Sequence, residues 1–337
     1  MFGIEELKES IQQNETTIEC PVKKCTRRVK IMHKGEPQLL DSYLAKETTH
    51  GQTQDLKDWF CPKHRIYITP STFIYDNLRD NLLWYDEEDQ SLIQKIMLAK
   101  RVKVQLFHDN SEDAVTWAVF RYLEKERLVS GFLGKLIGAI VKRPQLIYWS
   151  YSPSEQHAWS DLEKATEEFG ERKKRSSEPD LIIKSDNALF FIEAKLRAGN
   201  KTTPSRPDDL KRYVIGANRW SDGVFKSDYQ TIAIEERKYE LLRFWLIGTW
   251  IAKQLDLDFY LVNLVLREKE RNIESIFKKH IKEKPRRRFL RATWEAIYEY
   301  IVNSSSSGRN KEVMIRYFKN KTVGYKDGRL QRAFSIQ

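Results

Sequence analysis

The stretch EPDLIIKSDNALFFIEAKL, residues 178–196, predicts two β-strands joined by a tight turn. Its apolar runs, at 181–185 and 188–196, flank Asp186-Asn187, a pair that favours a short hairpin turn. Both runs are almost continuously apolar, which is typical of strands buried on both faces of a sheet. The stretch therefore predicts a hairpin inside a larger sheet rather than a hairpin exposed to solvent.

The ends of this hairpin carry charged residues. A hairpin centred between residues 186 and 187 places Asp180 opposite Glu193, since the two are equally distant from the turn. Side chains alternate along a strand, so Glu193 and Lys195 project from the same face. One interpretation is that these charges simply keep the hairpin end in solvent. The other, which charges at the end of a buried sheet favour, is a functional cleft.

The surrounding elements predict an α/β fold class, with a mixed central sheet flanked by helices. We expect a capped helix at 110–127, a strand at 144–151, a long helix centred on 235–255 and a further strand at 258–266. From residue 110 onward the order is helix, strand, strand, strand, helix, strand. That order is typical of a layered α/β arrangement.

Two neighbouring carboxylates and a lysine suit metal-assisted hydrolysis of a phosphodiester. Mg²⁺ prefers hard oxygen ligands, usually one or two carboxylates together with water and substrate phosphate. The bound ion lowers the pKa of water and neutralises charge on the phosphate. A lysine can orient the attacking water and offset the developing negative charge. Without a metal the two carboxylates repel each other, and one of them gains a proton.

A Pro-Asp pair ending at Asp180, twelve intervening residues and the run Glu193-Ala194-Lys195 resemble the motif of the PD-(D/E)xK nuclease superfamily. This resemblance covers residues 105–270 at most, and it implies a restriction-endonuclease-like fold. It also implies that Asp180, Glu193 and the backbone carbonyl of Ala194 bind Mg²⁺, and that Lys195 is catalytic. Most proteins of this kind act on DNA, so the resemblance favours DNA as the substrate and a restriction or defence role.

Members of this family commonly carry a further acidic residue on the first core helix. Glu112 and Asp113, at the start of the helix predicted at 110–127, both match that role. We predict Glu112 as the additional catalytic and Mg²⁺-binding residue, with Asp113 as the alternative. Acidic residues near a helix N-terminus are also stabilised by the helix dipole without any further function.

All three cysteines fall into short pairs near the N-terminus. Cys20 and Cys25 form one pair, and Cys61 with His64 forms the other. Two ligands from each of two turns make a tetrahedral Zn²⁺ site, and four protein ligands leave no open position for catalysis. We predict a structural zinc site in a ribbon-like module; three buried free thiols and a surface histidine are the alternative.

The chain is basic, with 59 Lys and Arg, 48 Asp and Glu, and a formal net charge of +11. Residues 281–337 hold 14 of these cations but 5 of the acids, and the run KEKPRRRFLR at 282–291 is the densest part. A basic excess of this kind favours a polyanionic partner. We predict nucleic acid as that partner, bound by basic residues after the hairpin and in this run: Lys211, Arg212, Arg286, Arg287 and Arg288.

The sequence predicts three consecutive regions. They are an N-terminal zinc-binding module with a connector at 1–104, the nuclease core at 105–270 and a basic helical region at 271–337. The most apolar run, FWLIGTWIA at 244–252, is shorter than the ~20 residues that cross a bilayer. The N-terminus has no apolar signal region. We therefore expect a soluble, cytoplasmic protein without a membrane partner.

Together these features predict a Mg²⁺-dependent endonuclease that hydrolyses phosphodiester bonds in DNA. A symmetric double-strand cut by such an enzyme would need a homodimer. Two alternatives stay open. One is a zinc-containing nucleic-acid-binding protein whose nuclease-like core is inactive, and the other is an RNA-processing nuclease that uses the same residues.

Overall fold

The computed structural model describes residues 6–33, 36, 40, 54–99, 106–171, 178–205 and 210–336. The chain divides into two compact units, each built from segments that are separated in the sequence. The first unit comprises residues 1–85, 104–122 and 301–337, and the second comprises 86–103 and 123–300. The units are thus not consecutive, whereas the sequence-based division placed boundaries at 104/105 and 270/271.

Short strands dominate the described part of the first unit, where they form three small antiparallel sheets. The sheets are β1 (Thr17–Glu19) with β2 (Arg28–Lys30); β3 (Phe60–Cys61), β4 (Ile66–Ile68) and β5 (Phe73–Tyr75); and β13 (Thr322–Lys326) with β14 (Arg329–Arg332). The helices are α1 (Gln54–Lys57), α2 (Arg79–Leu82), most of α4 (Glu112–Lys125) and α11 (Arg309–Asn320).

The C-terminal segment is held in the first unit by buried polar contacts. Lys321 Nζ donates a hydrogen bond to Asn81 Oδ1 at 2.6 Å, and Thr322 Oγ1 donates to Asp109 Oδ2 at 2.6 Å. Burial lowers the pKa of Lys321, although the nearby Asp109 carboxylate opposes this shift. A buried charge is costly unless it is paired, so these contacts stabilise the joined arrangement of N- and C-terminal segments.

The second unit contains the longer strands and helices. In chain order they are α3 (Glu87–Ala99), the end of α4, α5 (Val129–Ile137), β6 (Gln145–Tyr148), β7 (Tyr151–Ser152), β8 (His157–Ala158), α6 (Ser160–Glu168), β9 (Leu181–Lys184), β10 (Ala188–Ala194), α7 (Leu210–Val224), a π-helix (Thr231–Glu235), α8 (Tyr239–Gln254), β11 (Asp258–Val265), α9 (Ile273–Lys278), β12 (Arg287–Thr293) and most of α10 (Trp294–Asn303).

These strands form one seven-stranded mixed sheet in the order β12-β11-β10-β9-β6-β7-β8. β10 is parallel to β11 and β11 is parallel to β12, whereas β9 is antiparallel to both β10 and β6. The predicted α/β class, with a mixed sheet flanked by helices, is confirmed. The carboxyl ends of β10, β11 and β12 meet at one edge, which is where open α/β sheets commonly bind ligands.

Helix α8 covers one face of the sheet at close range. Trp245 packs edge-on against the Phe259 ring, with ring centroids 5.8 Å apart, and Phe191 meets the same ring at 5.5 Å. A Cβ atom on Gly248 would lie 2.2 Å from the Phe259 ring, so glycine is required for this approach. Because side chains alternate along β10, Glu193 and Lys195 project on the same face as Phe191.

The predicted helical region at 271–337 is wrong in part. Arg287–Thr293 is the edge strand β12, and β13 and β14 also lie in this region. In β12 the buried residues Phe289, Leu290 and Ala292 supply the apolar contacts of a strand. The arginines beside them dominate the local sequence and hide this pattern. None of the helices in the described ranges is long and apolar enough to cross a membrane.

Candidate metal-binding and catalytic sites

The predicted hairpin is present with the predicted register. Strand β9 pairs with β10 so that Leu181 lies opposite Ile192 and Lys184 lies opposite Leu189. The turn is closed by Ser185, whose backbone N–H donates to the Ala188 carbonyl at 2.8 Å. Continuing this register places Asp180 beside the carboxyl end of β10.

Asp180 is attached to the neighbouring strand by its carboxylate. The backbone N–H of Ala194 donates a hydrogen bond to Asp180 Oδ2 at 2.8 Å. An ionised acceptor makes this bond stronger than one between neutral groups. The turn therefore sets the register, and the hydrogen bond fixes the Asp180 side chain at the end of the strand that carries Glu193.

Glu193 and Lys195 form a close ion pair at the same position. Lys195 Nζ lies 2.5 Å from Glu193 Oε1, and the Glu193 side chain is only 3% exposed. The second oxygen, Glu193 Oε2, is buried and accepts no hydrogen bond from any residue in the described ranges. A buried carboxylate oxygen without a donor is costly, so this atom is placed to accept a cation or a proton.

Sequence reasoning missed a fourth charged residue at this position. Glu240, in the first turn of α8, places Oε2 at 3.9 Å from Lys195 Nζ. Its only sequence signal is an acidic residue at a helix start, which is common in any helix. We call Asp180, Glu193, Lys195 and Glu240 the carboxylate–lysine site.

The electrostatics of this site raise the pKa of Glu193 well above its ordinary value. Burial is the largest cause, and repulsion from the Asp180 carboxylate is the second. Lys195 opposes the shift, whereas Glu240 adds to it. Counted over these four described residues, three carboxylates and one ammonium group give an excess of negative charge. Such a site favours either a proton on Glu193 or a bound cation.

A polar network supports the site from the adjacent strand. Asn263 of β11 lies opposite Glu193 in the sheet, and its amide donates to Glu270 Oε2 at 2.9 Å. Asn200 donates to Asn263 Oδ1 at 2.5 Å and to Glu270 Oε2 at 2.7 Å. Burial acts to raise the pKa of Glu270, but the hydrogen bonds from Asn200 and Asn263 outweigh it and lower that pKa. The loop after β10 is thereby fixed beside the site.

Glu112 and Asp113 occupy the first turn of α4, as predicted. The helix is capped by Ser111, whose Oγ accepts a hydrogen bond from the Ala114 N–H at 3.1 Å. Both acidic residues belong to the first unit, whereas Asp180, Glu193 and Lys195 belong to the second. The assignment of Glu112 or Asp113 to the carboxylate–lysine site stays a prediction.

Arg286 and Arg287, two of the predicted nucleic-acid-binding arginines, are engaged within the second unit. Arg286 makes ion pairs with Asp256 and Asp258, at 2.9 and 2.6 Å. Arg287 donates to the Lys282 carbonyl at 2.8 Å, and burial lowers its pKa. These two guanidinium groups therefore brace the edge of the sheet.

The other predicted contacts differ in exposure. Arg288 is half-buried on β12, and Arg212 donates to the Gly170 carbonyl at 3.2 Å. Lys211 is exposed at the start of α7. A role for any of these residues in binding nucleic acid stays a prediction.

The first unit brings together the predicted cysteines and histidine. Cys20 and Cys25 flank the turn between β1 and β2, and Cys61 ends β3 three residues before His64. Their ligand atoms all lie within 4.8 Å of one another. Within the described ranges, this is the one set of three or more His, Cys, Asp or Glu side chains placed to share an ion. We call it the Cys₃His cluster.

Distances within the Cys₃His cluster match a tetrahedron around a metal. Cys25 Sγ lies 3.9 Å from Cys61 Sγ, and His64 Nδ1 lies 3.5 Å from the sulfurs of both Cys20 and Cys61. Typical zinc–sulfur and zinc–nitrogen bond lengths give tetrahedral edges of about 3.8 Å between sulfurs and about 3.6 Å between sulfur and nitrogen. All three cysteines are free thiols, so the cluster can hold a metal ion.

The thiols of this cluster are already polarised. A hydrogen bond from Cys20 is the main cause that lowers the pKa of Cys61 to about 5, and His64 contributes further. The same interaction raises the pKa of Cys20, and burial adds to that increase. Because metal ligation requires thiolates, the lowered pKa of Cys61 favours binding of a cation by this ligand set.

Comparisons with protein-family models, with curated proteins and with solved structures found no match to this chain.

Proposed function

We propose that this protein is a metal-dependent nuclease of the PD-(D/E)xK kind that hydrolyses phosphodiester bonds in DNA. One observation carries the proposal. Glu193 is buried at the carboxyl end of a parallel strand, with one oxygen unpartnered, next to Asp180 and Lys195. A protein that needed only stability would not retain such an arrangement, since replacing buried charges with apolar groups is often neutral or stabilising.

The residues of the carboxylate–lysine site suit a hard divalent cation. Asp180 and Glu193 would hold Mg²⁺, together with the backbone carbonyl of Ala194, while water and substrate phosphate fill the remaining positions. The ion would supply Lewis-acid stabilisation of the phosphate and a more acidic water. The unpartnered Glu193 Oε2 supports this fit, because a cation would satisfy that oxygen and compensate the excess negative charge.

The side chains of the site have separate roles in this proposal. Asp180 is held in orientation by the Ala194 N–H at the end of the strand that carries Glu193. Lys195 is positioned by Glu193 and Glu240, and its ammonium group would offset negative charge that develops on the phosphate. Glu240 adds a second carboxylate near the ammonium group of Lys195. Glu112 would complete the acidic set.

For the Cys₃His cluster we propose a structural Zn²⁺ ion. Sulfur and imidazole ligands at tetrahedral spacing favour zinc over hard cations such as Mg²⁺. Four protein ligands leave no position for substrate. The ion would tie β1, β2 and β3 together in a unit whose described strands are at most five residues long.

The test is a plasmid-nicking assay with Mg²⁺, using wild type beside Asp180→Asn and Lys195→Met. Each variant has a matched control on the same hairpin, because Asp186→Asn and Lys184→Met change the same residue types outside the site. We expect cleavage to fall by about 10²-fold or more in the site variants and to persist in the controls. Retained DNA binding by the inactive variants would separate chemistry from affinity.

Two results would contradict the proposal. Equal cleavage by Lys195→Met and Lys184→Met would show that Lys195 has no role in the reaction. Absence of cleavage of single-stranded DNA, duplex DNA and RNA by wild type, under Mg²⁺ and Mn²⁺, would favour a binding protein with an inactive core. Cleavage of RNA alone would identify an RNA-processing nuclease with the same residues.

A further inference from the structure

The first unit contains a large cleft between its N-terminal segment and helix α11. Its volume is about 1020 Å³, and it is lined mainly by charged residues: Glu6, Lys8, Glu9, Lys23, Lys24, Arg316, Lys319 and Arg332, with Leu7, Val22 and Asn320. Six of the lining residues are cations and two are acids. We call this the α11 cleft.

Several cations of the α11 cleft have no acidic partner among the described residues. Lys23 pairs with Glu6 at 2.7 Å. In contrast, Lys24, Arg316 and Lys319 form no ion pair with any residue in the described ranges, and all three are exposed. This differs from Arg286 in the second unit, which is paired with two aspartates. Unpaired cations attract anions more effectively than paired ones, because their field is not cancelled locally.

The local structure explains why these cations face solvent. Helix α11 buries Met314, Tyr317 and Phe318, so Arg316 and Lys319 lie three residues apart on the opposite side. Lys24 has a left-handed backbone, with φ of 63°, in the turn that leads to Cys25. The turn and the helix thus present their cations to the same cleft.

A second, smaller cleft continues this basic surface. It has a volume of about 240 Å³, and Lys24, Arg27 and Lys63 line it beside Cys25 and Cys61. Lys24 lines both clefts. The cations therefore extend from α11 across the cysteine-bearing turns rather than converging on one point. That distribution suits a ligand with several separated charges and not a single small anion.

The lining of the α11 cleft also indicates how such a ligand would be recognised. Among its lining residues there is no aromatic side chain, and the apolar residues Leu7 and Val22 are buried. Stacking of bases needs aromatic side chains, whereas contact with the phosphate backbone needs only Lys and Arg. The chemistry is that of sequence-independent binding to a nucleic-acid backbone.

We propose that the α11 cleft is a binding site for the phosphate backbone of duplex DNA, in which Lys24, Arg316 and Lys319 each contact phosphate. The inference deepens the proposed function and rests on it only for the choice of DNA as the polyanion. It places DNA binding on residues of the first unit, whereas the sequence analysis predicted Lys211, Arg212, Arg286, Arg287 and Arg288 as the binding residues.

The experiment measures binding of fluorescent duplex DNA by anisotropy over a series of salt concentrations. All proteins carry Asp180→Asn, so that the probe stays intact. The test variant adds Lys24→Gln, Arg316→Gln and Lys319→Gln. Its matched control adds Lys135→Gln, Lys142→Gln and Lys253→Gln, three exposed cations of the second unit that form no ion pair with any residue in the described ranges. Circular dichroism confirms folding, and the single variants Lys24→Gln and Lys319→Gln serve if the triple variant does not fold.

We expect the test variant to bind DNA about tenfold more weakly or worse at moderate salt, and the control to bind like the parent. The dependence of log affinity on log salt should become shallower by about 2.7 for three lost phosphate contacts, or by about 1 for each single variant. Equal affinities and slopes in test variant and control would overturn the inference. So would a parent protein that binds no DNA, including one that binds RNA alone.

The outcomes separate this inference from the nuclease proposal. If the protein cleaves no nucleic acid but the test variant binds DNA more weakly, the α11 cleft is supported as a DNA-binding site and the nuclease proposal is contradicted. If the protein without Asp180→Asn cleaves DNA but the test variant binds DNA as tightly as its control, the nuclease proposal is supported and the α11 cleft is contradicted as a binding site.

Discussion

The Cys₃His cluster and the carboxylate–lysine site both concentrate metal-ligating side chains, but they differ in every property that matters for an ion. The cluster offers soft sulfur and nitrogen ligands, four in number, at distances that match a tetrahedron. The carboxylate–lysine site offers hard oxygen ligands and an ammonium group, with one buried oxygen unpartnered. A tetrahedral ion in the first set would have no open position, whereas a Mg²⁺ ion in the second would keep positions for further ligands.

This difference predicts that the two sites affect the free energy of unfolding in opposite directions. A closed ligand set contributes its binding free energy to folding, because the site does not exist in the unfolded chain. An open, negatively charged site costs stability until a cation or substrate compensates it. Removing the metal should therefore damage the first unit, whereas removing a carboxylate should benefit the second unit in the absence of metal.

The largest effect is expected from breaking the Cys₃His cluster. His64→Ala should lose the zinc and unfold the first unit, since structural zinc contributes about 10–16 kcal/mol in small zinc domains. His64→Cys is the matched control, because it keeps four ligands and should retain the ion. Elemental analysis and hydrogen exchange measure both variants. Purified wild-type protein without zinc, or with exchange unchanged by a chelator, would contradict the assignment.

A smaller effect of opposite sign is expected at the carboxylate–lysine site. Glu193→Gln should stabilise the metal-free protein by about 1–3 kcal/mol at neutral pH, since it removes a carboxyl group whose ionisation is opposed by burial and by Asp180 and Glu240. The folded pKa of Glu193 is raised, so its contribution to stability is present below the unfolded pKa. That contribution is lost as the pH rises through the folded pKa. The advantage of Gln should therefore grow with pH.

Thermal unfolding over a pH series, with and without Mg²⁺, measures this difference. Added Mg²⁺ should raise the melting temperature of wild type and leave Glu193→Gln almost unchanged. A variant less stable than wild type at every pH would show that the ion pair with Lys195 outweighs the repulsion.

The smallest effect is expected from Glu240, which contacts Lys195 at longer distance. Glu240→Gln should lower the pKa of Glu193, because the Glu240 carboxylate is one of the causes that raise it. The acid limb of the pH–rate profile for cleavage should move to lower pH, with a loss of rate of about tenfold or less. Glu235→Gln, an exposed acid just before α8, is the control. Identical pH–rate profiles for Glu240→Gln and Glu235→Gln would show that Glu240 does not influence the site.

Local sequence was sufficient for the hairpin and for the Cys₃His cluster. A turn at Asp186-Asn187 predicts the register, because paired residues must be equally distant from the turn. The observed pairing of Leu181 with Ile192 confirms this register. The cysteines could be grouped because the chain has few of them and each lies in a short pair. Both inferences depend on residues close in sequence, where chain geometry restricts the outcome.

The parts that could not be predicted depend on distant contacts. Glu240 reaches Lys195 only because α8 packs on β10, and nothing in its neighbouring residues indicates that approach. Arg286, directly before β12, was taken as part of a nucleic-acid surface because its ion pairs with Asp256 and Asp258 become visible only in the folded sheet. The division into units depends on contacts between segments more than 200 residues apart, such as Lys321 with Asn81.

That division has a consequence for the order in which the chain folds during synthesis. Every residue of the second unit precedes residue 301, so its sheet can be completed while the last segment is still being made. The first unit instead needs β14, where Leu330 donates its backbone N–H to the Glu9 carbonyl at 3.0 Å. Its N-terminal strands therefore lack this partner until the chain has been synthesised as far as β14. The thiols of the Cys₃His cluster are exposed to oxidation or to other metals for that interval, so capture of the correct ion early in synthesis would protect them.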